Sequence, residues 1–167
     1  MEYIEEVDWE GNFVALRLAH ELKKGMFPHK ASLVIPKTED GKFIISRRSK
    51  NKHPYPDTWM CAVGGKVAEG EDYETAAMRE MQEETSHQVP LEYVTTFKHK
   101  EGYQAIFQVF TTKQPIRIED LTPNQAEIQY FREVSVEELK EELFKNPQLF
   151  APTFRVAVES FLEVSRL

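Results

Sequence analysis

The sequence predicts an α/β fold in which a mixed β-sheet carries helices on both faces. Three observations lead there. Short β-rich runs occur both as adjacent hairpins and separated by helical segments, which is the pattern of a sheet with parallel and antiparallel members. The stretch Tyr73 to Thr85 carries Ala76, Ala77, Met78 and Met81, which favour helix and supply a core-facing side. A length of 167 residues with 41% hydrophobic content fits one domain with a real core, and no repeat, low-complexity tract or linker divides it.

Taken in order, Tyr3 to Val7 and Gly11 to Leu18 form a hairpin turning at Asp8 to Asn12, followed by a brief helical turn from Ala19 to Lys24 that Gly25 stops. This hairpin is expected to cover one edge of the sheet. Ala31 to Pro36 and Lys42 to Arg48 are strands around the Asp40-Gly41 turn signal. Ser49 to Thr58 holds Pro54 and Pro56 and reads as a surface loop. Trp59 to Val67 reads as a short strand broken by Gly64-Gly65, and Tyr73 to Thr85 is the clearest helix. Leu91 to Lys100 and Tyr103 to Thr112 pair across Gly102, and Ile128 to Val134 is a strand. Ser135 caps a helix over Val136 to Phe144, and Thr153 to Val164 is a final amphipathic helix after Pro152.

The charge balance narrows the function. A formal charge of −7 disfavours binding to a nucleic-acid polymer but is compatible with a small phosphorylated substrate brought in by metal ions. Cys61 is the only cysteine, so an internal disulfide is excluded and a reducing compartment is expected. No apolar run approaches about 18 residues, and Met1 to Glu6 lacks the basic and apolar regions of a signal peptide. The expectation is a cytoplasmic protein without a membrane segment. A homodimer is compatible with all of this; the sequence does not fix the oligomeric state.

The chemistry concentrates between Gly65 and His87. On a helix, Glu80 lies one turn from both Glu83 and Glu84, so three carboxylates share a face. Like charges at that spacing destabilise a helix by about 0.2–0.5 kcal/mol per pair, so a cation in front of them is expected. Hard divalent ions take oxygen ligands and are the natural candidates.

The spacing Gly65-x5-Glu71-x7-Arg79-Glu80-Met81-x-Glu83-Glu84 resembles the signature of the Nudix hydrolases. The resemblance implies a Nudix-type α/β/α sandwich over residues 1–167, with 1–28 as an N-terminal hairpin and helix extension and 65–87 as the signature box. It implies Mg²⁺ or Mn²⁺ as cofactor, held by Glu80, Glu83 and Glu84, with Gly65 letting the loop backbone approach the metal. Arg79 and Glu71 would form an ion pair clamping loop to helix. Glu127, before a strand and a Glu-Glu-Leu helix, resembles the family's downstream acid and is the candidate for an extra ligand or general base. Ser86 and His87 depart from the family's glycine and apolar residue. That glycine suits a left-handed helix end, where a serine costs ~1 kcal/mol or moves the end by a residue.

Four further residues are candidates for substrate contact. Arg47 and Arg48 suit phosphate, although strand alternation lets only one of them enter a cleft. Trp59 suits stacking on a base or lining a pocket, against a plain core role. Tyr103 lies sixteen residues past the box, where some dinucleoside-polyphosphate hydrolases of the family keep a tyrosine.

The expected reaction is hydrolysis of a nucleoside diphosphate linked to another moiety, or of a similar small organic pyrophosphate, by metal-activated water attacking phosphorus. Two other readings stay open. The flanks, including Phe27 to Ser32, resemble the branch containing isopentenyl diphosphate isomerase. That enzyme keeps a cysteine before a Gly-His pair, whereas Val63 precedes Gly64-Gly65 here and Cys61 sits two residues early. A non-catalytic nucleotide-binding module is the other alternative; such modules usually lose acids from the box, and none is lost here.

Overall fold

The computed structural model describes residues 1–165. Nine strands and three α-helices follow one another as β1 (Tyr3–Val7), β2 (Phe13–Leu18), β3 (His29–Val34), β4 (Phe43–Arg48), β5 (Trp59–Cys61), β6 (Val63–Lys66), α1 (Tyr73–Thr85), β7 (Leu91–His99), β8 (Ala105–Thr112), β9 (Ile128–Val134), α2 (Val136–Lys145) and α3 (Pro152–Ser165). Single 3₁₀ turns lie at Ala19–Lys23, Ile118–Asp120 and Pro147–Leu149.

The α/β class with a mixed sheet is as the sequence predicts. A four-stranded sheet runs in the order β6-β3-β8-β7, with β3 and β8 parallel and the other pairs antiparallel. A three-stranded antiparallel sheet runs β5-β4-β9, and β1 and β2 form a separate ribbon. Strand alternation explains why helices flank both faces. Ala31, Leu33, Phe43 and Ile45 point into one core with Phe154, Val158 and Phe161 of α3, while Val34 and Ile44 join Ala77 and Met81 of α1 in the other.

Two local readings are corrected. The Asp40-Gly41 turn forms, with the Thr38 N–H donating to the Lys42 carbonyl at 2.9 Å, but it joins strands that pair into different sheets. The strand from Trp59 breaks at Ala62, not at the glycine pair. Gly64 and Gly65 lie inside β6, opposite Leu33 and Ser32. One chain segment therefore stitches the two sheets together beside the signature loop.

Helix α1 begins where Asp72 caps it by accepting from the Thr75 N–H at 2.7 Å. It ends at Ser86, which adopts the left-handed conformation at φ 56° and donates its N–H to the Gln82 carbonyl. The serine thus holds the helix end that a glycine would hold more cheaply. Ser86→Gly is expected to stabilise the fold by about 0.5 kcal/mol, after allowing for the glycine's greater unfolded-state freedom. The check is a melting temperature higher by about 1–2 °C; a lower one would count against this strain.

Candidate functional site

Helix α1 presents its carboxylates in graded depth. Ala77, Met81 and Glu84 follow one another at i, i+4 and i+7, so Glu84 continues the stripe that packs into the core and is itself buried. Glu80 borders that stripe, with a side chain 15% exposed, and Glu83 faces out at 55%. Glu84 Oε1 accepts from the Gly64 N–H at 3.4 Å. Burial, with the charge of Glu80 beside it, pushes the Glu84 carboxyl well above the usual range; burial raises Glu80 as well, against the pull of Arg79.

Arg79 organises the other side. Its Nε and Nη2 donate to the two carboxylate oxygens of Glu71 at 2.7 and 2.9 Å, and Nη2 also reaches the Lys66 carbonyl at 3.1 Å. Its Nη1 donates to Glu80 at 2.9 Å and to Glu83 at 3.4 and 3.5 Å. The hydrogen bonds to Arg79 hold Glu71 below its ordinary carboxylate range, and Glu71 in turn accepts the Ala68 N–H at 2.8 Å. One guanidinium therefore fastens the loop after Gly65 to the acidic helix.

Gly65 sits directly against this group. A Cβ there would lie 2.2 Å from Glu80 Cδ, so a side chain and the Glu80 carboxylate cannot occupy their places together. Gly65→Ala is expected to lower kcat about tenfold or more and to cost about 1–3 kcal/mol of stability as Glu80 is displaced. Steady-state kinetics and urea unfolding check it; unchanged kcat would mean that Glu80's position is immaterial.

Gly65, Arg79, Glu80, Glu83 and Glu84 line a cavity of about 770 Å³, together with Arg48, Lys52, Lys66, Tyr103 and Glu127. Glu127 forms an ion pair with Lys52 and lies near enough to Glu84 to raise its pKa. Arg48 is half-buried, and loss of water around it lowers its pKa; its Nε donates to the Pro54 carbonyl at 2.7 Å. Among the described residues Arg48 has no carboxylate partner within ion-pair distance. Ser46 and Arg48 share one strand face and both reach the cavity.

Two candidates are not brought to the cavity. Arg47 donates from Nε to Asp57 at 3.0 Å and stacks 5.1 Å above the Trp59 ring. Trp59 is buried in the core, where Tyr130 and Arg132 also pack on it. Neither lines the cavity, because strand parity turns Arg47 and the indole away from the face that Arg48 shares. Tyr103 does reach it. Its hydroxyl lies 2.9 Å from His29 Nε2, while His29 Nδ1 faces the Phe27 carbonyl at 3.0 Å. The carbonyl accepts only, and burial lowers the His29 pKa to about 4, so neutral His29 carries its proton on Nδ1 and accepts from Tyr103 at Nε2.

Sequence reasoning did not single out His29, Lys52 or Lys66 as site residues, nor the ribbon as part of the wall. Met1, Glu2 and Tyr3 line the cavity because β1 docks on the signature loop, with an Ile4–Ala68 bridge and the Glu69 N–H donating to the Tyr3 carbonyl at 2.9 Å. Docking between segments this far apart in the chain leaves no periodic signal to read.

Among the described residues, no three His, Cys, Asp or Glu side chains converge on a single point. Arg79 holds Glu80 and Glu83 by hydrogen bonds from Nη1. The donor set still fits a hard cation. Glu80 and Glu84 are like-charged carboxylates raised by burial, all candidate ligands are oxygens, and the Gly65 backbone runs against Glu80. The isomerase chemistry fits less well: Cys61 is buried and desolvation pushes its thiol far up, leaving it a small apolar side chain.

The comparisons with known proteins agree with this geometry. The NUDIX domain model matches residues 27–154. A protein of Methanosarcina mazei named prenyl-diphosphate phosphatase is 28% identical over 159 residues, covering 93% of this chain and 92% of the relative. An uncharacterized Nudix hydrolase of Listeria monocytogenes is 31% identical over 119 residues, covering 70% and 68%. The crystal structure of DR0079 from Deinococcus radiodurans superposes with a TM-score of 0.83 at 19% identity, over 96% of this chain and 99% of that one. Taken with the near-complete signature, these matches show that the chain belongs to the Nudix family and is a pyrophosphohydrolase of it.

Proposed function

We propose that the protein is a Mg²⁺- or Mn²⁺-dependent hydrolase of a small organic diphosphate. The observation that carries this reading is the pairing of buried Glu84 with Glu80 in the cavity wall, two carboxylates whose charged forms need a cation. Glu80, Glu83 and Glu84 would hold the ion, close to the Gly65 backbone. When bound, such an ion neutralises phosphate charge and lowers the pKa of water.

The chain's own residues supply the rest. Arg79 and Glu71 keep the loop backbone at a fixed height over α1. Arg48, partly stripped of water and without a carboxylate partner among the described residues, is placed to accept a phosphate oxygen. Glu127 is the candidate for general base or additional ligand; its engagement with Lys52 would have to loosen for either role. The name of the Methanosarcina mazei relative, a phosphatase of an organic diphosphate, supports the same substrate class.

The test is release of orthophosphate or a phosphate monoester from organic diphosphates with Mg²⁺, then with excess chelator, then with Mg²⁺ restored. Turnover that disappears and returns is expected. Turnover indifferent to chelation would contradict metal dependence. Conversion of isopentenyl to dimethylallyl diphosphate without phosphate release would replace hydrolysis by isomerisation.

A further inference from the structure

Outside the cavity, exposed apolar surface concentrates on the β1–β2 ribbon. Among the described residues, five of the ten exposed large apolar side chains fall there: Met1, Tyr3, Phe13, Val14 and Leu16. Phe13, Val14 and Leu16 are 61, 52 and 44% exposed, so half of the six-residue strand β2 shows an apolar side chain to water.

The main chain of the ribbon is served unequally. On one side β1 pairs with β2; on the other, the Tyr3 carbonyl accepts the Glu69 N–H at 2.9 Å and the Val7 N–H donates to the Pro28 carbonyl at 2.9 Å. Tyr3, Glu5 and Val7 therefore turn their main-chain groups away from β2. In an antiparallel ladder the residues opposite Tyr3 and Glu5, which are Leu18 and Leu16, turn theirs away from β1. Leu18 uses its N–H within the chain, donating to Glu21 Oε2 at 2.7 Å. Leu16 has no such partner among the described residues, so its N–H and carbonyl stand at an open strand edge. An open edge with apolar side chains is a template for one more strand.

We infer that this edge is a docking surface for a second copy of the chain, joined β2 to β2 in antiparallel fashion about a two-fold axis at Leu16. Placed so, each Leu16 donates its N–H to the other Leu16 carbonyl, and one patch serves both copies. Charge favours the same arrangement. The turn at one end of β2 carries Asp8 and Glu10, offset in part by Lys100 over the Trp9 ring. The other end leads into exposed Lys23 and Lys24, while Glu21 beside them is spent on Arg17 and the Leu18 N–H. Antiparallel pairing sets each acidic end beside the other copy's basic end, whereas parallel pairing would set like beside like. The outer edge of β1 is already occupied, so association through the ribbon closes at two. Met1, Glu2 and Tyr3 of the same ribbon line the cavity, and the dimer braces that wall.

The test is sedimentation equilibrium of the wild type, Leu16→Lys, Glu10→Lys, Lys24→Glu and the Glu10→Lys/Lys24→Glu double variant. A contact built on two short strands lies at the low end of specific interfaces, so the wild type is expected to be half dimeric at about 10–100 μM. Leu16→Lys is expected to weaken association about 30-fold or more. Each single charge reversal should weaken it about threefold, and the double variant should restore it. Hydrogen exchange of the Leu16 amide should slow as the wild type is concentrated. Melting temperatures verify that every variant folds. A wild type monomeric to about 500 μM would overturn the inference and leave the edge to another partner. Association unmoved by Leu16→Lys, growth beyond a dimer, or a double variant weaker than both singles would overturn it as well.

Discussion

Glu84→Gln is expected to lower kcat by about 10²–10³-fold while the protein folds normally. Glutamine keeps the shape of the buried side chain and keeps an oxygen able to accept from the Gly64 N–H. It removes a charge that burial and Glu80 both oppose, so stability in metal-free buffer should hold or rise slightly. The expected signature is therefore crossed, with activity nearly lost and the melting temperature unchanged or higher. Steady-state kinetics with Mg²⁺ and thermal unfolding without it check the two halves. Full activity in the variant would mean that this carboxylate holds nothing the reaction needs.

Arg79→Gln is expected to damage both fold and activity. The substitution strands Glu71, Glu80, Glu83 and the Lys66 carbonyl, all of which Arg79 now serves. Breaking a fully buried ion pair costs about 3–5 kcal/mol; with the Arg79 side chain 31% exposed, solvent screens part of it. A loss of about 2 kcal/mol remains, lowering the melting temperature by about 5 °C. Activity should fall about 100-fold, because the loop carrying Gly65 is no longer fastened over Glu80. Glu71→Gln should reproduce a smaller share of both effects, and the double variant should show coupling of about 1–3 kcal/mol. Additive losses in that cycle would mean that the two residues act separately.

Much of this site was legible because its parts are local in sequence. The bounds of α1 and the order of Glu80, Glu83 and Glu84 follow from propensity and a 3.6-residue period. The Glu71–Arg79 contact spans eight residues and follows from the signature spacing. What sequence could not supply was depth. The same period that puts three acids on one face does not say that Glu84 continues the core stripe of Ala77 and Met81 while Glu83 faces solvent.

Long-range pairing was less legible still. Alternation says that one of Arg47 and Arg48 enters the cavity, but which one depends on the face of the β5-β4-β9 sheet that borders the cavity. The Asp40-Gly41 turn was visible, yet a turn does not determine that its strands part into different sheets. His29 and Tyr103 meet across 74 residues, and Tyr3 meets Glu69 only because the ribbon docks there. Such contacts come from packing, which sets no local pattern.

The acidic face of α1 as a cation site is tested most directly by Mn²⁺ binding, measured by electron paramagnetic resonance on wild type and Glu84→Gln. Tight binding of at least one Mn²⁺ to the wild type, weakened about 100-fold in the variant, is the expected result. Equal binding by both proteins, or none by the wild type, would contradict it.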